Sequence, residues 1–293
     1  MKKVLPVVIL ALFLLSCQSK PGNNTGESEK EPVTWELSSL WSTDTVLKTP
    51  ESVLYDPARD LLFVANINGN PTDKDSNGFI TKLGTDGSVI ELEWVTGLHA
   101  PKGMGVYEDL LFVADIDHLV VIDIPSATIK EKVSVEKAQF LNDVTVSNKG
   151  KVYFSDMRTG KIHTWYEGEL ATWKEGLEGP NGLYSEEDRV MLLTNGTPPA
   201  VKTVSTGNGE VNTYATGISG GDGIEFTGLP DTYVVSDWSG QIFLVQKDTT
   251  VSLLNTREEE INSADIGFNK GTSVVYVPTF FDNRVVAYKL EKN

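Results

Sequence analysis

Four side chains supply oxygen donors at near-regular intervals along this sequence: Glu51, Asn142, Asn181 and Asp222. Each is the second residue of a short phrase, in Pro50-Glu51-Ser52-Val53, Leu141-Asn142-Asp143-Val144, Pro180-Asn181-Gly182-Leu183 and Gly221-Asp222-Gly223-Ile224. Two further phrases keep the pattern with a different residue in that place, Pro101-Lys102-Gly103-Met104 and Ser263-Ala264-Asp265-Ile266. Two carboxylates with two amide carbonyls form a hard-oxygen set that suits a divalent cation such as calcium and leaves positions for water or substrate. A cation held this way polarises an ester or lactone carbonyl and lowers the pKa of a coordinated water. Turns before strands favour the same Asn, Asp and Gly residues, so residue type alone is also compatible with a structural role.

What can bring the donors together is the repeat itself. The second residues of the six phrases are separated by steps of 51, 40, 39, 41 and 42 residues. A period near forty residues marks a propeller blade or a solenoid unit. Each phrase is followed by a run of β-branched and aromatic residues, such as Leu62-Phe63-Val64-Ala65-Asn66, Leu111-Phe112-Val113-Ala114-Asp115 and Tyr233-Val234-Val235-Ser236-Asp237, which reads as a buried strand. A third strand and a more polar fourth strand follow, and no amphipathic helical period exceeds two turns after the N-terminal segment. The predicted fold is therefore all-β, a six-bladed β-propeller spanning residues 33–293. The sixth repeat stops after three strands, so residues 33–47, with Trp35, Leu37, Leu40 and Trp41, are expected to supply its fourth and close the ring. The extra length of the first repeat is the loop 67–77 between its second and third strands.

The N-terminus carries an address. Met1-Lys2-Lys3 precedes an apolar stretch from Val4 to Leu15 that is too short to span a bilayer comfortably. It ends in Leu14-Leu15-Ser16-Cys17, which resembles a bacterial lipobox and contains the chain's one cysteine. Residues 1–16 are thus expected to be a lipoprotein signal peptide and Cys17 the lipidated residue. Residues 17–32 lack large apolar side chains and read as a flexible tether. The expected location is the outer membrane or cell surface, with the lipid as the only membrane attachment. The formal charge of −16, which becomes −18 without Lys2 and Lys3, argues against nucleic acid and against adsorption to anionic lipid. A monomer with a small-molecule partner is the expectation.

The four donors in order, at blade spacing, resemble the regucalcin/gluconolactonase family of six-bladed propellers over roughly residues 45–290. The resemblance implies a calcium-type divalent cation held by Glu51, Asn142, Asn181 and Asp222, with Asp222 as general base, and hydrolysis of a lactone or ester. Three positions depart from the family pattern. Phe140 stands two residues before Asn142, where many members carry an arginine. Lys102 occupies the second blade's inner position, where its ammonium would repel a cation or bind an anionic substrate beside it. Ala264 leaves the sixth blade without a histidine. A non-catalytic propeller binding a ligand or protein on the same face is the alternative.

Antiparallel strands put the phrase and the loop after the second strand on one face. The substrate pocket is therefore expected to involve Lys102, Phe140, Trp238, Phe280 and Phe281, partly covered by the 67–77 loop; the aromatics could instead pack between blades. Asp73, Asp75 and Asn77 match the first half of an EF-hand-like loop, a candidate second calcium site, although Gly84 stands where the bidentate Glu is needed. Asp115, Asp156 and Asp237 end equivalent strands and are expected to hold loops by hydrogen bonds. The Ser219–Gly223 stretch is a turn rather than a phosphate cradle, because no helix follows it.

Overall fold

The computed structural model describes residues 34–293; the signal segment, Cys17 and the tether lie outside the described residues. Six sheets of four antiparallel strands form the ring, and among the described residues the one helical element is a 3-10 turn at Phe280–Asp282. The inner strands are Pro50–Asp56, Pro101–Tyr107, Leu141–Val146, Pro180–Ser185, Gly221–Phe226 and Gly267–Asn269. The chain is a six-bladed β-propeller, as the period predicts.

Ring closure uses both ends of the described chain. Trp35–Ser42 pairs antiparallel with Val285–Lys292 as the outer strand of the sixth blade. That pairing removes an edge that would otherwise expose unpaired backbone groups. At the axis the same seam is stitched by a parallel bridge between Ser52 and Asp265, in which the Val53 amide donates to the Asp265 carbonyl and the Asp265 amide to the Glu51 carbonyl.

The second strand of each blade explains the packing. Its successive side chains point to opposite faces of the sheet, so alternate residues serve two neighbours. In the first blade Phe63 and Ala65 join Met104, Leu111 and Val113 of the second, whereas Leu62 and Val64 join Tyr276, Val285 and Ala287 of the sixth. Four further apolar clusters repeat this between the remaining neighbours, giving one per seam. Burying each such large side chain contributes about 1.5–3 kcal/mol. This double-sided burial is why the second strands read as continuous apolar runs.

At the axis, packing is tight enough to dictate residue size. A Cβ on Gly182 would fall 2.1 Å from the Asp222 carbonyl oxygen, and one on Gly103 would fall 2.5 Å from the Asp143 Cα. Both neighbours are backbone of the next blade and cannot yield by a rotamer change. Gly182→Ala is therefore expected to destabilise the protein by about 2–3 kcal/mol, the cost of overpacking a close-packed interior. Denaturant unfolding, with Gly207→Ala as an exposed reference whose Cβ meets only the Ser205 hydroxyl at 3.9 Å, checks this.

Candidate functional site

Glu51, Asn142, Asn181 and Asp222 all reach one cavity of about 520 Å3 at the ring's axis. The sequence predicts them in turns before the inner strands; the structure instead places each as the second residue of its strand. The pairing register slips at that point in five blades, between Pro50 and Ser52, Pro101 and Met104, Leu141 and Val144, Pro180 and Leu183, and Gly221 and Ile224. A β-bulge bends a strand and re-aims a side chain, and here it turns the second residue toward the axis. The sixth blade has a shorter inner strand that begins only at Gly267. There Ala264 is buried among Ile67, Ala100, Ile116 and Phe280.

The four donors are buried, between 4% and 6% exposed. Their nitrogen and oxygen atoms are used unequally. The Asn181 amide nitrogen donates to Asp222 Oδ1 at 2.9 Å and to the Gly221 carbonyl at 3.1 Å, and the Asn142 amide nitrogen lies 3.7 Å from Met157 Sδ. With the amide nitrogens so engaged, Asn181 Oδ1 is buried with no hydrogen-bond partner among the described residues, and so is Glu51 Oε2. Two desolvated acceptors without donors are costly unless something electropositive meets them. Those orphaned oxygens fit a hard cation, which takes oxygens of this kind and needs no hydrogen from them. Among the described residues no group of three His, Cys, Asp or Glu could hold a metal, so any cation site here depends on the two asparagines.

Burial and mutual repulsion dominate the electrostatics. Burial first, and the Asp222 charge second, push the Glu51 carboxyl well above the usual range. Asp222 is pushed up to about 8 by burial and then by Asp265, with the Asn181 hydrogen bond acting the other way. Asp265 itself is raised to about 7 by burial, opposed by its hydrogen bond from Ser52. Asp143 is raised by burial and then by Asp265, although the Val144 and Leu183 amides donate to it. Asp143 and Asp265, third in their phrases, thus form a second acidic layer beneath the four donors. They line a separate cavity of about 500 Å3 that extends along the far halves of the inner strands to Tyr184, Glu225 and Lys270.

The remaining wall of the upper cavity is largely apolar. Ile67 and Pro71 of the 67–77 loop, Phe140, Met157, Trp238, Phe280 and Phe281 line it with Lys102 and Asn195. Trp238, Phe280 and Phe281 form a mutual edge-on cluster with centroids 4.7–6.2 Å apart. Trp238 and Phe281 are 42% and 63% exposed, so this cluster lies at the mouth rather than within a blade seam. Lys102 is buried inside the ring, with its ammonium 4.7 Å from the Phe140 ring centre, and the Arg158 guanidinium lies 4.7 Å from the same ring.

The outlying candidates have ordinary partners. Asp115 accepts the His99 and Ala100 amides, Asp156 the Gln139 and Phe140 amides, and Asp237 the Ser239 amide, so these strand-end carboxylates do hold loops. Asn195 lies one residue beyond the fourth blade's second strand, Arg189–Thr194; its Oδ1 is buried without a hydrogen-bond partner among the described residues, and it lines the cavity. Sequence reasoning missed it, and the repeat carried no signal for it, because Thr194 holds the register position that Asp115, Asp156 and Asp237 hold in other blades. In the 67–77 loop, the Asn77 amide nitrogen donates to Asp75 at 2.7 Å and the Asp73 amide donates to the Asn70 carbonyl at 3.2 Å. Asp73, Asp75 and Asn77 are all exposed and make turn contacts.

No protein-family model matches the sequence, and no curated protein does either. Similar solved structures are numerous. A gluconolactonase from Xanthomonas campestris superposes with a TM-score of 0.64 at 13% identity, over 84% of this chain and 87% of its own. A streptogramin B lyase gives 0.64 at 12% identity, over 88% of this chain and 98% of its own. A virginiamycin B lyase from Staphylococcus aureus gives 0.60 at 11% identity, over 89% and 100%. At this identity the likeness is one of fold, a propeller architecture shared by a hydrolase and by lyases.

The axial carboxylates make stability depend on pH in an unusual direction. Asp222 and Asp265 have folded-state pKa values raised to about 8 and about 7. Below about pH 4 both are protonated, folded or unfolded, and burial costs nothing extra. As pH rises towards 8 the folded chain holds protons that the unfolded chain has released, so stability falls. Chelator-treated protein is therefore expected to be less stable at pH 8.5 than at pH 5. Asp222→Asn is expected to flatten that slope, and calcium to restore more stability at pH 8.5 than at pH 5, as read by denaturant midpoints.

Proposed function

We propose that the chain is a divalent-cation-dependent hydrolase of lactones or esters, with calcium the favoured ion, exported and anchored through Cys17. The observation that carries this is the convergence of Glu51, Asn142, Asn181 and Asp222 on one cavity, with two of their oxygens buried and without a hydrogen-bond partner among the described residues. A cation bound there supplies Lewis-acid polarisation of the substrate carbonyl.

The chain's own residues do the rest. Asp222, held at the axis by the Asn181 amide, accepts a proton from an attacking water. Asn195 Oδ1 offers a further acceptor for a substrate hydroxyl or for that water. Trp238, Phe280 and Phe281 hold the apolar part of the substrate, and Ile67 and Pro71 limit water entry. The aromatic wall and Phe140 favour a more apolar ester or lactone than a sugar lactone, whose hydroxyls would be left unpaired against it.

A lactone and ester panel tests the reading. Turnover is expected to fall on chelation and return with calcium, and Asp222→Asn and Glu51→Gln are each expected to lower kcat/KM by about 10²–10⁴-fold. Trp238→Ala is expected to raise KM for apolar esters with a smaller effect on kcat. Bound-metal analysis showing no divalent ion, with turnover indifferent to chelator, would overturn this in favour of a non-catalytic binding propeller.

A further inference from the structure

One buried charge belongs neither to the packing nor to the proposed chemistry. Lys102 is the second residue of the second blade's inner strand, the same ring position from which the four oxygen donors reach the axis. It is 1% exposed, and its ammonium donates to the Ala100 carbonyl at 2.8 Å and to the Pro71 carbonyl at 3.1 Å. The Phe140 ring face meets it at 4.7 Å, a cation–π distance. Two carbonyls and a ring face give an ammonium's three hydrogens somewhere to point.

What is missing is a direct ion pair. Glu51 is the carboxylate that acts most strongly on Lys102, followed by Asp115, with the Arg158 charge opposed. Yet no contact ion pair joins Lys102 to an acid among the described residues. Glu51 Oε2, meanwhile, has no hydrogen-bond partner among the described residues. The ammonium is drawn aside from its counter-charge, and one of the two carbonyls that draw it belongs to the 67–77 loop. Charges this poorly hydrated interact strongly across several ångströms, and a lysine head on four methylenes is free to relocate when one anchor is lost.

We propose that Lys102 couples the seating of the 67–77 loop to cation binding at Glu51, Asn142, Asn181 and Asp222. Its charge opposes a divalent ion in the shared cavity. Its hydrogen bonds to Ala100 and Pro71 hold that charge aside while the loop is seated, which keeps the oxygens open. Without the Pro71 anchor the ammonium turns to Glu51 and becomes a tethered competitor. The proposal rests on the cation reading above, and it makes the loop a reporter and regulator of site occupancy rather than a passive cover.

The test is calcium binding by titration calorimetry together with hydrogen exchange across residues 67–77, on the full chain and on Lys102→Met, which keeps most of the stem. Expected are at least tenfold tighter calcium binding and several-fold faster loop exchange in the variant. A lysine that is merely structural would loosen the loop without tightening calcium, so unchanged or weaker binding by a folded Lys102→Met overturns the coupling while the cation site stands. Binding by the variant and none by the native chain supports the coupling in its strongest form and removes the cation from the native enzyme. No calcium binding by either overturns both readings. Lys102→Gln, which keeps hydrogen-bond donors without charge, decides the matter in the same way if the methionine variant does not fold.

Discussion

Closing six sheets into a ring forces the first residues of six inner strands onto one axis, and at that axis the chain places more carboxylate than its surroundings neutralise. Glu51 and Asp222 lie in one layer and Asp143 and Asp265 in the next, all raised by burial and most by one another, with Lys102 the cation buried beside them. Like charges removed from water are expensive, so this concentration is a standing liability unless protons, a cation or ligand groups relieve it. The apolar seams between blades supply the energy that holds such a cluster in place. Function is thereby written into the least favourable part of the structure, supported by its most favourable part.

The second acidic layer also serves the scaffold. Asp143 accepts an amide of its own strand and one from Leu183 in the next blade, while Asp265 accepts the Ser52 hydroxyl across the closing seam. These carboxylates stitch neighbouring inner strands where side chains are too crowded for apolar packing; Gly103 and Gly223 are glycines because the next blade's Asp143 and Asp265 occupy the space a Cβ would need. A residue that is both seam and charge cannot be optimised for either. The layer therefore transmits the electrostatic state of the cavity into the ring, since Asp265 contributes to the raised pKa of Asp222, of Asp143 and of Glu51.

The ring was legible in the sequence because its causes are periodic. Double-sided burial makes each second strand an apolar run, the turn chemistry repeats every forty residues, and Trp35 and Leu37 had no other sheet to join than the sixth. Convergence of the four donors on one cavity followed from the same period. The individual contacts were not legible, because they are set by local breaks in the pattern. The bulges that aim Glu51 and its counterparts leave no composition signal beyond a glycine, serine or aspartate after the donor. The free oxygen of Asn195 follows from its amide nitrogen turning to the Gly221 carbonyl of the next blade. The ammonium of Lys102 could have run along the axis or away from it; only the positions of Ala100, Pro71 and Phe140 decide, and all three come from loops.

Six-fold repetition would by itself place six identical groups around the axis, a geometry with no preferred direction for a substrate. Here the second positions read Glu, Lys, Asn, Asn, Asp and Ala around the ring. The oxygens of Asn142, Asn181 and Asp222 occupy consecutive blades, Glu51 stands apart between Lys102 and Ala264, and the aromatic cluster of Trp238, Phe280 and Phe281 comes from the fifth and sixth blades. The cavity therefore has a polar arc, an apolar arc and a cationic corner at Lys102. A substrate with one polar and one apolar end meets these in a single orientation, and the symmetry of the fold is spent on building the wall rather than on the chemistry.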